Sequence, residues 1–222
     1  MENKQKQSPG PPVCTGLQKN PLLTSPRLHA SIAAVTMILP ITQYGNPVLR
    51  VKCAPVDTVD DSIKSLAADM LETMYEANGI GLAAPQVGKN IRLVVIDIPE
   101  DEEDDGEAPE TATINGEVRP IRDIMPLVFI NPVIEPYGKQ YLFTEGCLSV
   151  HNIRANVSRP DHVKATLPQL DGSVLEVDCS GLLARCLQHE CDHLDGFLFV
   201  DRVSSAAKLT IGKKLKKLAQ GY

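Results

Sequence analysis

The chain has 222 residues, 43% hydrophobic and 23% charged, with a formal net charge of −6. That length can bury one sizeable core, and the composition is that of an ordinary globular domain, which argues against a disordered or collagen-like chain. No apolar run approaches the length needed to span a bilayer. The six cysteines form no C-x-x-C pair, which favours a reduced, cytoplasmic setting over a disulfide framework.

Residues 1–36 are rich in Pro, Ser, Lys and Gln, with Glu2 as the sole acid, and read as an unfolded extension. Met37 opens an extended stretch, so the expected domain is 37–222 and Met37 is a candidate start. Import into an organelle through residues 1–36 is the less favoured alternative, because Arg27 is the single arginine there. From Asp61, apolar residues Ile63, Leu66, Met70, Leu71 and Met74 recur at helical spacing up to an Asn78-Gly79 stop. The next segment, Gly79 to Gly88, holds too many small residues and turn formers for regular structure.

Arg92 to Ile98, Leu127 to Ile134, Val163 to Leu167 and Val174 to Val177 read as strands. Between the first two lies an insertion, residues 99–124. Its positions 100–110 carry eight acids and no base, and without those eight the formal charge would turn from −6 to +2. Such a run is read as a solvated loop. Ser180 is the expected N-cap of a helix that ends before Gly196. Phe197 to Val200 then suggests a short strand, and residues 204–218 a terminal helix bearing Lys208, Lys213, Lys214, Lys216 and Lys217.

The chemistry concentrates in His189-Glu190-Cys191-Asp192-His193. On a helix, residues i and i+4 lie one above the other, so both imidazoles can reach one metal ion while Glu190 flanks it. A water-activating centre needs a third protein ligand and an open position. Protease patterns of this kind find that ligand downstream, but no His or Glu follows His193. Upstream, Glu145-Gly146-Cys147-Leu148-Ser149 puts a cysteine in a glycine-containing turn. Cys147 is therefore the expected third ligand, and a zinc endopeptidase becomes the alternative reading.

Three segments together carry a resemblance. Gly79-Ile80-Gly81-Leu82-Ala83-Ala84-Pro85-Gln86, Glu145-Gly146-Cys147-Leu148-Ser149 and Gln188-His189-Glu190-Cys191-Asp192-His193-Leu194 resemble, in order, the signature motifs of peptide deformylases. The resemblance runs from about Met37 to the C-terminus. It implies an α+β fold, with antiparallel or mixed sheets around a central metal-binding helix. It also implies removal of the N-formyl group from the formyl-methionine of newly made polypeptides, with release of formate.

On that reading a divalent metal held by Cys147, His189 and His193 lowers the pKa of a bound water. Glu190 acts as general base and acid, and the Gln86 side chain and the Leu148 N–H steady the oxyanion. Ile80, Phe143 and Leu182 would wall an apolar pocket for methionine, with Gly81 and Gly146 bonding the peptide backbone. The resemblance implies Fe(2+), while thiolate and imidazole donors would equally suit Zn, Ni or Co. Nascent formyl-methionyl peptides are the expected partners, and the basic helix is a candidate ribosome contact; neither membrane nor DNA binding is expected. An inactive ribosome- or peptide-binding homologue is a further alternative. The chain departs from the family pattern at His151-Asn152, where members often carry Pro-Gly. His151 is read as a surface residue, since a fourth protein ligand would close the site.

Overall fold

A computed structural model describes residues 36–98 and 110–221. The expected unfolded extension, apart from its last residue, and nearly all of the acidic run lie outside the described residues. Helix α1, Asp61–Glu76, starts where Asp60 accepts the N–H groups of Ser62 and Ile63 and ends before Asn78, which adopts φ 53°. It buries Ala67, Met70, Thr73 and Met74 against a small sheet. That sheet is antiparallel in the order β1-β2-β5, with β1 at Gly81–Ala83, β2 at Leu93–Ile96 and β5 at Leu127–Ile130. Every residue of β2 is buried, as expected for a central strand covered on both faces.

The second sheet has five antiparallel strands in the order β4-β3-β8-β7-β6. Strands β3 (Thr111–Ile114) and β4 (Glu117–Pro120) form a hairpin within the stretch read from sequence as an acidic loop. The signal was present: Asn115-Gly116 has φ of 50° and 86°, the left-handed pair that a two-residue hairpin turn requires. The strand expected over Leu127 to Ile134 is two strands. Asn131, at φ 46°, separates β5 from β6 (Val133–Glu145), and its side chain holds the backbone of Val56 in both directions. Strand β7, Ala155–Pro168, pairs with β6 from Glu145↔Ala155 to Val133↔Thr166, and with β8, Val174–Ser180. Strand β6 is an edge strand, exposed along most of its length until Glu145 turns inward.

Helix α2, Gly181–Leu194, lies in the middle, in contact with β1, β6, β7 and β8. Ten of its fourteen residues are buried, so the amphipathic pattern of the sequence understates how completely it is enclosed. Burying Leu183, Leu187 and Leu194 is worth roughly 1.5–3 kcal/mol each. Ser180 occupies the N-cap position, but its hydroxyl accepts nothing. The carboxylate of Glu110 lies at this helix start instead, against the N–H of Leu182. Gly181, at φ 62°, leaves room for it, since a Cβ there would strike the Glu110 carboxylate.

The segment Phe197 to Val200, read as a strand, instead leads into helix α3, Phe199–Arg202. Asp201 reaches back to accept the Leu198 N–H and closes a helical turn. Helix α4, Ser205–Gln220, follows with Ser204 as its cap, contacts β7, and contributes Ala207, Ile211, Leu215 and Leu218 to a cluster with Leu49, Val157 and Phe199. No helix among the described residues is long and apolar enough to cross a membrane.

Replacing Glu110 by Ala should lower stability by about 0.5–2 kcal/mol, the usual cost of losing an N-cap acceptor. Ser180→Ala should cost distinctly less. Urea unfolding of the two variants checks the order, and a larger loss in Ser180→Ala would contradict the capping assignment.

Candidate active site

Helix α2 presents His189 and His193 on one face, and the turn after β6 brings Cys147 up to them. The ligand atoms of these three residues lie within 4.8 Å of one another. Cys147 Sγ is 3.3 Å from His193 Nε2, about the spacing of neighbouring donors around one ion with bonds of ~2.0–2.3 Å. The Nδ1 of His189 is engaged by Glu145 at 3.0 Å, so its Nε2 is the nitrogen left for a metal. Burial alone would lower the pKa of His189, yet contacts with Cys147 and Glu145 raise it well above the ordinary value. Burial, with the charge of His189 second, keeps His193 well below that value. Three donor atoms at this spacing can share one cation among them. Thiolate and imidazole donors complete the chemical match to a borderline-soft divalent ion.

The other cysteines among the described residues do not compete. Burial pushes the thiols of Cys53 up to about 11 and of Cys179 and Cys191 up to about 12, and that of Cys186 well above its usual range. A thiol held protonated is a poor ligand and a poor nucleophile.

Glu190 is buried beside the donors, and its Oε2 has no hydrogen-bond partner among the described residues. Desolvation pushes its carboxyl up to about 7, near the value that suits proton transfer in neutral solution. Gly81 makes room for it. A Cβ at Gly81 would sit 2.5 Å from Glu190 Oε1 and 2.8 Å from Cys186 Sγ. Gln86 is fixed because its Oε1 accepts the Ala83 N–H at 2.7 Å, which turns its amide NH₂ toward Cys147 Sγ, 3.5 Å away, and Ser149 Oγ, 3.3 Å away. The carbonyl of Leu148 accepts from Gln43 at 3.0 Å, while its N–H makes no backbone hydrogen bond among the described residues.

A cleft of about 590 Å³ opens over this group. Ile80, Gly81, Gln86, Phe143, Gly146, Cys147, Leu148, Leu182, His189 and Glu190 all line it. Of the residues singled out from sequence only His193 does not, being 1% exposed. His151 lines the cleft as an exposed residue and is no member of the clustered donor group.

The model of the family "Polypeptide deformylase" matches residues 38–209. The chain belongs to the polypeptide deformylase family. A peptide deformylase of Stutzerimonas stutzeri is 46% identical over 182 residues, 82% of this chain and 96% of its own length. That of Pseudomonas aeruginosa is 44% identical over 181 residues, 81% of this chain and 95% of its own. Among solved structures, the Synechococcus elongatus peptide deformylase in complex with actinonin aligns with TM-score 0.66 at 36% identity, covering 85% of this chain and 91% of that one. Arabidopsis thaliana peptide deformylase 1B, with an inhibitor, gives 0.68 at 36%, covering 83% and 92%. Deformylases hydrolyse the N-formyl amide of nascent chains, and this chain is a hydrolase of that amide.

Sequence reasoning missed the layer behind the three clustered donors. Glu145, read only as part of a motif, receives His189 and Arg159 on Oε2 (3.0 and 3.0 Å), and Arg159 and Arg185 on Oε1 (2.7 and 2.6 Å). Arg159 also donates to Asp192, 2.8 Å away, and Asp192 accepts from Arg202 at 2.6 Å. Burial would raise the carboxyl of Glu145, but His189 and Arg159 outweigh it and hold the group far below the usual carboxylate range. The signal in the sequence was weak, because the partners are 14 to 44 residues apart.

Glu145→Gln keeps the shape and removes the charge that orients His189. It should weaken metal binding by roughly 10–100-fold, as loss of a ligand-orienting partner commonly does. Competition with a chelator measures it, and an unchanged affinity would refute that role for Glu145.

Proposed function

We propose that the chain deformylates the N-terminal formyl-methionine of newly made polypeptides using Cys147, His189 and His193 to hold one divalent ion, ferrous iron by preference. The reading is carried by one observation: two of the three clustered donors, Cys147 and His189, a buried carboxylate of raised pKa and a fixed amide donor all line the same cleft, with His193 buried directly behind. The ion supplies Lewis acidity and an activated water near neutral pH.

The side chains do the rest. Glu190 takes the proton released when water adds to the formyl carbon and returns it to the nitrogen as the C–N bond breaks, so formate and a free amine leave. The amide NH₂ of Gln86 and the N–H of Leu148 receive the negative charge that develops on the formyl oxygen. Gln86 is set before substrate arrives by its bond from the Ala83 N–H, and losing one such donor commonly costs roughly 10²–10³-fold. Ile80, Leu182 and Phe143 offer apolar surface to the methionine side chain. Gly81 and Gly146 leave backbone free to pair with an extended peptide.

Helix α4 exposes Lys208, Lys213, Lys214, Lys216 and Lys217 on the side away from its apolar contacts. A cytoplasmic enzyme acting on nascent chains gains from such a helix as a contact for ribosomal RNA.

Glu190→Ala should cut formate release from formyl-Met peptides by about 10²–10⁴-fold while metal stays bound. The assay is run anaerobically with the metal content measured. Turnover within about twofold of the parent would overturn the role of Glu190, and cleavage of internal peptide bonds without formate would overturn the reaction. Co-sedimentation with ribosomes should be clear at low salt and lost at high salt; absence of binding at low salt would remove the docking role of α4.

A further inference from the structure

Arg185 is buried, 9% exposed, one helical turn before His189, and the chemistry above gives it no part. Its guanidinium is nonetheless the most shared group in the site. Nη1 donates to Glu145 Oε1 at 2.6 Å and to the Val157 carbonyl at 3.3 Å; Nη2 donates to the Tyr141 carbonyl at 2.8 Å. Its Cζ lies 5.5 Å from the centre of the Phe143 ring.

Charge neutralisation does not account for it. Arg159 alone already forks onto both oxygens of Glu145, and Glu145 and Asp192 are matched by Arg159 and Arg202. Arg185 is a surplus cation in a buried network, and such a group is costly unless its geometry is used. Its other contacts show where the geometry is used. Strand β6 is an edge strand with β7 on one side only, and Tyr141 and Phe143 are 59% and 48% exposed. Packing does little to fix that stretch, yet Phe143 lines the substrate cleft. A planar guanidinium can stack on a ring, hold a backbone carbonyl and fork toward a carboxylate at once, which an ammonium cannot.

We infer that Arg185 is a positioning residue that fixes the Phe143 wall of the cleft against the carboxylate orienting His189, and so sets affinity for the peptide side chain bound on that wall. The inference rests on the deformylase reading. Its test measures kcat and KM for a formyl-Met peptide, per bound metal, in R185M, R185K, F143A and the R185M/F143A double variant.

R185M leaves Glu145 paired with Arg159, and should raise KM roughly tenfold, the joint loss of one hydrogen bond and one cation–π contact, with kcat within about threefold. R185K keeps the charge without the plane and should show the same rise in KM. F143A should raise KM as well, and the double variant should exceed the larger single effect by less than about twofold, since both remove one device. KM within about twofold of the parent in R185M, normal KM in R185K, or additive effects in the double variant would each overturn the inference. If R185M does not fold, the R185K and F143A measurements carry the test. Parent enzyme that releases no formate would sink the deformylase reading itself, whereas formate release with unmoved KM sinks only the role of Arg185.

Discussion

The carboxylate of Glu145 is the constraint on which the rest of the site depends. It ends an exposed edge strand, turns inward, and accepts four hydrogen bonds from Arg159, Arg185 and His189. A buried carboxylate without partners would cost several kcal/mol or take up a proton. Here the partners reverse the effect of burial and keep the group ionised. The same bonds fix the tautomer and tilt of His189, and through Arg159 and Asp192 they tie the strands to helix α2 and to Arg202 of helix α3. The geometry of the candidate metal site is therefore a property of the β6–β7 ribbon and of α2 together.

Two carboxylates close to each other illustrate how surroundings set chemistry. Glu145 is surrounded by donors and sits far below its ordinary pKa; Glu190, adjacent to His189 in sequence, is buried with one oxygen unpartnered and is pushed up to about 7. One is suited to holding a fixed charge, the other to exchanging a proton near neutrality. Gly81 belongs to the same design, because any side chain there would meet Glu190. The same stretch that gives up its side chain at Gly81 pins Gln86 through the Ala83 N–H.

The elements most legible in the sequence were those with a strong local period. Helix α1 follows its apolar spacing from Asp61 to the Asn78-Gly79 stop, and α2 starts after Ser180 and ends before Gly196, as read. Where two local signals competed, the reading slipped. Leu127 to Ile134 looks like one strand by composition, but the left-handed Asn131 breaks it in two. The β3–β4 hairpin was hidden beside a run of acids, although Asn115-Gly116 marks its turn. Phe197 to Val200 has the composition of a strand, and a single bond from Asp201 to the Leu198 N–H makes it the entry to a helix.

The sequence by itself singled out the three candidate donors that the fold brings together. Two histidines at i, i+4 must share a helical face, the glutamate between them must flank it, and the absence of His or Glu after His193 sends the third ligand upstream to Cys147. Only the tertiary structure decided what surrounds those donors: Glu145 behind His189, Arg159 between Glu145 and Asp192, Arg185 between Glu145 and the Phe143 ring, and Glu110 at the start of α2. The physical reason is distance along the chain. Helical periodicity links neighbours a few residues apart, whereas a buried carboxylate takes its donors from whatever strands and helices the packing brings within about 3 Å of it.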